Sequence, residues 1–115
     1  MQSCRVGCSV KITRIEKTAA FQNMHSVEAK QIYDTENATV IHMSLQPGQS
    51  LKKHTTPVDV FFYILEGKGT VEIGEEKQEV QKDELIESPK GIPHLLQNSG
   101  DSVFRFLVVK LPKQK

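Results

Sequence analysis

Apolar residues along this chain come in short runs, most of them alternating with polar ones, and each run ends in turn-forming residues. Alternation over a handful of positions marks a half-buried strand. It predicts strands over residues 10–15, 29–33, 38–45, 60–65, 70–73, 77–80, 85–87, 93–98 and 102–110. The breaks are Asp34-Thr35-Glu36-Asn37, Gln46-Pro47-Gly48, Glu66-Gly67-Lys68-Gly69, Pro89-Lys90-Gly91 and Asn98-Ser99-Gly100-Asp101, all turn chemistry. Gly74-Glu75 reads as a two-residue hairpin turn with glycine first, as a type II′ turn requires. A helix over residues 12–22 competes with the first strand, since Ile12, Ile15 and Ala19 sit at helical spacing, but that pattern is short and uncapped. Many short strands at close spacing predict an all-β domain, a sandwich or small barrel, over residues 10–115. Residues 1–9 read as a disordered N-terminal extension ahead of a domain that opens at Val10.

One run breaks the alternation. Val60-Phe61-Phe62-Tyr63-Ile64-Leu65 is apolar on both parities, so Phe61, Tyr63 and Leu65 need a cover as well as Val60, Phe62 and Ile64. A second copy of the chain is the expected cover, which predicts a homodimer; the N-terminal strands of the same chain are the alternative.

Composition narrows the class. The 115 residues are 37% hydrophobic and 25% charged, with a net charge of +1, ordinary for a globular domain with a real core. Near-neutrality argues against nucleic acid as a partner. No apolar run approaches membrane-spanning length and the N-terminus lacks the layout of a signal peptide, so the expected location is cytoplasmic. Two cysteines, Cys4 and Cys8, make neither a disulfide framework nor a four-thiolate zinc site and are expected to be free thiols.

Candidate chemistry rests on histidine. Of the four, His54 and His94 have informative surroundings. Gly48, His54 and Gly67 keep the spacing of one motif; Pro89, Gly91, His94 and Asn98 keep that of a second. These stretches resemble the two motifs of the cupin superfamily, specifically a small single-domain cupin of the conserved-barrel type 2, over about residues 38–110. The resemblance implies a double-stranded β-helix, a jelly-roll barrel, with His54 and His94 facing one another inside. Three histidines and a glutamate bind metal in the metal-bearing members. Here Thr56 stands at the second histidine position and Val60 at the glutamate, so His54 and His94 alone remain as metal ligands for Fe, Mn, Ni or Zn. Asp59 neighbours the missing glutamate, but strand parity turns it to the other face. His42, between Ile41 and Met43, is expected to face outward, and His25 to lie in a loop. Gly48, Gly67 and Gly91 read as turn formers, and Asn98 as the cap of the turn before Gly100. Lys52 and Lys53 are expected at the barrel mouth, where they would draw an anion.

These residues imply a small-molecule-binding cupin without a tightly held metal. Its pocket would be lined by Leu51, His54, Thr56, Val60, Phe62, Ile64, His94 and Leu96, and its ligand an organic acid, sugar or aromatic metabolite. The alternative is a metal-dependent oxygenase or isomerase with His54 and His94 as ligands. A metal-free enzyme using either histidine as base lacks an orienting carboxylate among those positions. A filled barrel would instead indicate an interaction module. For the assembly, sedimentation at micromolar concentration is expected to give a dimer; a monomer would remove the second copy as the cover of Phe61, Tyr63 and Leu65.

Overall fold

The computed structural model describes residues 9–112. Eight strands follow in order: β1 (Glu28–Asp34), β2 (Thr39–Leu45), β3 (Asp59–Glu66), β4 (Lys68–Ile73), β5 (Glu76–Gln81), β6 (Leu85–Ser88), β7 (His94–Gln97) and β8 (Phe104–Leu111). They form two antiparallel sheets, a five-stranded one in the order β1-β2-β8-β3-β6 and a three-stranded one in the order β5-β4-β7. Among the described residues no helix is long and apolar enough to cross a membrane.

Register explains the core. Ile41, Val108 and Phe62 lie side by side across β2, β8 and β3, as do Met43, Phe106 and Ile64, and all six are buried. Because side chains alternate along a strand, one register choice sends the whole set inward. Phe62, Phe104 and Phe106 form a tilted and edge-on aromatic series, with ring centroids 6.3 and 5.2 Å apart. The opposite parity of β3, Phe61, Tyr63 and Leu65, is half-buried on the outer face, and Tyr63 Oη donates to Asp83 Oδ1 at 3.1 Å.

Two turns show why the motif residues are what they are. Gly67 joins β3 to β4 at φ +82°, and a Cβ there would run into the Val103 carbonyl oxygen. Asn98 is buried after β7: its Nδ2 donates to the Leu45 and Ser102 carbonyls, both at 2.8 Å, while Oδ1 accepts the Gly100 N–H at 2.9 Å. Asn98 thus caps the turn before Gly100 and also ties it to β2.

The N-terminal expectations need correcting. Residues 10–15 are not a strand, and 12–22 are not a helix; a single 3-10 turn spans Ile15–Lys17. Val10 and Ile12 are 86% and 64% exposed, so their alternation meets no partner ladder. The segment is held at two points, by Lys30 Nζ donating to the Ile15 carbonyl and by the Phe21 N–H donating to Ala29. His42 is also not solvent-facing. It has the outward parity, yet it is 2% exposed, with Arg105 Nε donating to its Nε2 at 3.1 Å and Arg105 in turn paired with Glu66. Cys4 and Cys8 lie outside the described residues.

Replacing Asn98 with Ala removes three hydrogen bonds and leaves the Leu45 carbonyl without this donor in the interior. The expected loss is about 2–4 kcal/mol, read as a lower urea midpoint at unchanged slope.

Candidate functional site

Residues 50–54 run antiparallel beside β7, pairing Ser50 with Gln97 and His54 with His94 outside the regular strands. Leu51 N–H donates to Leu96 at 2.9 Å, and His54 and His94 exchange both backbone bonds, at 3.2 and 2.9 Å. Residues directly opposite in such a ladder share a face. The two imidazoles therefore meet edge to face, with ring centroids 4.7 Å apart at 80°. Phe62 packs edge-on against His94 at 5.2 Å.

A third imidazole joins them. His25 lies in the turn before β1, 5.0 Å from the His54 ring. Asn23 shapes that turn: its Oδ1 accepts the His25 N–H, and its Nδ2 donates to the Val27 and Phe21 carbonyls. The loop placement matches the sequence reading; the meeting with His54 was not legible, because only tertiary folding brings residue 25 to residue 54.

The backbone of one residue, through its N–H and its carbonyl, orders two of these rings. The Lys52 N–H donates to His25 Nδ1 at 2.7 Å, so in neutral His25 the proton sits on Nε2. The Lys52 carbonyl faces His54 Nδ1 at 3.0 Å and must accept from it, which in neutral His54 leaves the lone pair on Nε2. His94 Nδ1 is fixed at 2.8 Å from the Ser88 hydroxyl, a buried partner at the end of β6.

The rings border a cavity of about 50 Å³. Of the positions expected there, Leu51, His54, Thr56, Val60, Phe62 and His94 line it. Ile64 and Leu96 do not: both are 0% exposed within the packed core, where Phe104 and Phe106 fill the barrel's interior. Five lining residues were missed, namely His25, Ile41, Met43, Val108 and Lys110. Parity does foretell Lys110, since Phe104, Phe106 and Val108 are its inward predecessors on β8. The Thr56 hydroxyl already donates to the Val58 carbonyl at 2.8 Å. Asp59 is exposed and accepts the Lys90 N–H, away from the cavity, as its parity requires. Lys53 is paired with Glu72 at 3.2 Å.

The electrostatics are one-sided. Among the described residues no aspartate or glutamate lines the cavity. His94 is held down to about 4 by burial first, then by the neighbouring His54, Lys110 and His25. His25 is likewise held at about 4 by burial, His54, Lys52 and Lys110. Burial also lowers the Lys110 ammonium from its usual range.

This donor set does not fit a resident divalent metal. The proton that His25 carries on Nε2 removes it as a ligand there, and Val60 offers no donor. The Lys110 ammonium repels a dication. Among the described residues no group of three or more His, Cys, Asp or Glu side chains is arranged to hold a metal ion.

The comparisons agree with this architecture. The sequence model of the family described as cupin domain matches residues 41–110. An uncharacterized protein of Methanocaldococcus jannaschii is 37% identical over 62 residues, covering 54% of this chain and 49% of its own, so the chain spans about half the length of that relative. A crystal structure of a protein from Thermus thermophilus is similar at TM-score 0.77 and 28% identity, over 90% of this chain and 98% of that one. The crystal structure of a predicted oxalate decarboxylase from Thermotoga maritima gives TM-score 0.80 at 22% identity, over 90% and 100% of the two chains. At that identity it shows the fold alone.

The two depressed histidines set a pH dependence. In the folded chain they stay neutral down to about pH 4, whereas in the unfolded chain they take up protons near pH 6.5. The unfolded state binds more protons in between, so stability falls as pH drops from about 6.5 to about 4. Melting temperature against pH is expected to decline across this window, and more shallowly in His94→Phe. An equal slope in the variant would show that His94 does not contribute.

Proposed function

The chain belongs to the cupin domain family, and from that premise we propose that it binds a small-molecule metabolite at the barrel mouth without a tightly held metal. The observation that carries this reading is the cavity itself. It is apolar on its floor, at Ile41, Met43, Val60, Phe62 and Val108, and polar on its rim, at His25, His54 and Lys110. An apolar hollow with a few converging polar groups is the usual construction of a ligand site.

Volume limits what enters. At about 50 Å³ the hollow admits a few waters or one small functional group. Pockets that engulf a whole metabolite run to roughly 300–1,000 Å³. The ligand therefore inserts a head group, and its remainder lies over the rim against His25 and the exposed Lys52.

The alternative, a metal-dependent oxygenase or isomerase resting on His54 and His94, needs ligands beyond two imidazoles. The predicted oxalate decarboxylase among the structural neighbours shares the fold and supplies no reaction for this chain.

Metal analysis of protein purified without chelator separates the two readings. Iron, manganese, nickel and zinc are expected well below one equivalent and unchanged by His54→Ala. A full equivalent that disappears on His54→Ala or His94→Ala would overturn the metal-free reading.

A further inference from the structure

Resting on the reading of the barrel mouth as a small-molecule site, we propose that the group it takes is a carboxylate, anchored by Lys110. On β8 the inward positions run Phe104, Phe106, Val108 and then Lys110, so an ammonium follows three apolar side chains as the strand reaches the mouth. Thr39 of β2 and Val60 of β3 pair with Lys110 on either side and fix its place in the sheet.

Lys110 is half-buried, and among the described residues no salt bridge or hydrogen bond of its ammonium is formed. The contrast with other lysines is informative: Lys53 pairs with Glu72 and Lys30 with Glu28. The two acids nearest in register have hydrogen-bond donors of their own. Asp34 lies across Thr39 in register and accepts that residue's hydroxyl at 3.1 Å. Asp59 accepts the Lys90 N–H. A cation withdrawn from water into a hollow with no anion of its own is incomplete, and a bound carboxylate completes it.

The second donor is His25. Its Nδ1 is occupied by the Lys52 N–H, so its free nitrogen carries a proton. An ammonium and a ring N–H on one rim complement the two oxygens of a carboxylate and offer little to a hydroxyl or amide that brings no charge. The chemistry selects an acid from the wider set of metabolites that an apolar floor would admit.

The test compares acetate with acetamide and benzoate with benzamide, pairs of nearly equal shape that differ in charge. Binding is read from the ring C–H resonances of His54 and His94 during titration of the whole chain. Each acid is expected to bind at least about tenfold more tightly than its amide, and raising salt weakens only the acids. Lys110→Met keeps the stem and removes the charge; it is expected to bring acid affinity down to the amide level. Lys110→Arg is expected to retain the preference, which keeps the test decisive if the Met variant folds poorly. Equal binding of acid and amide by the native chain, or full acid binding by Lys110→Met, would overturn the carboxylate assignment and leave the small-molecule reading standing. Failure of all four probes to move either histidine would overturn both.

Discussion

Two backbone hydrogen bonds between His54 and His94 hold the mouth of this molecule together. Residues 46–58 connect β2 to β3, and such connections normally stay clear of the sheets they join. Here the reciprocal pairing draws the segment onto the edge of β7 and turns both imidazoles to one side. The rest of the site follows from that contact. Leu51 closes against Leu96 nearby, and Lys52 arrives where its N–H reaches His25 and its carbonyl reaches His54. Phe62 reaches the His94 ring from below. Without the pairing the two histidines would have no common surface, and the Lys52 N–H would not be placed to reach His25.

The fold was largely legible because local and global signals coincide. Each strand from β1 to β8 begins and ends within two residues of a run read from the sequence, and each break falls at a glycine, proline, asparagine or aspartate turn. The pairing of His54 with His94 was legible only through the motif spacing, since no local pattern joins two residues so distant. Three features were hidden for separate physical reasons. Residues 10–15 have strand-like alternation but no edge to pair with, and a ladder needs a partner. His42 has the outward parity, and parity does not report that Arg105 and the neighbouring chain will seal it. His25 depends on the Asn23 turn for its approach, a loop geometry whose destination is set by tertiary contacts. Lys110 is the instructive miss. Its inward parity was in the sequence, but a charged residue at the end of an apolar strand reads as surface by composition alone.

The division of the barrel interior also matters. Ile64, Leu96, Phe104 and Phe106 are fully buried and pack its depth, so the cavity is confined to the end where Val60, Phe62 and Val108 meet the histidines. Close packing gives the sheets their stability, and the small unpacked remainder at the mouth is where polar groups collect. On the proposed reading, a mouth of this size takes a head group and leaves the body of a ligand to the rim.

Three imidazoles in contact do not by themselves decide between a cation and an anion. The decision lies in where their protons sit, and the Lys52 backbone N–H and carbonyl settle two of them. The N–H claims the lone pair of His25 Nδ1, and the carbonyl claims the proton of His54 Nδ1. His25 therefore offers a donor and His54 an acceptor, although the side chains are chemically identical. Lys110 adds a positive charge on the same side, and among the described residues no carboxylate lines the cavity to offset it. Backbone direction at one residue and strand parity at another thus set the donors and the charge that border this hollow.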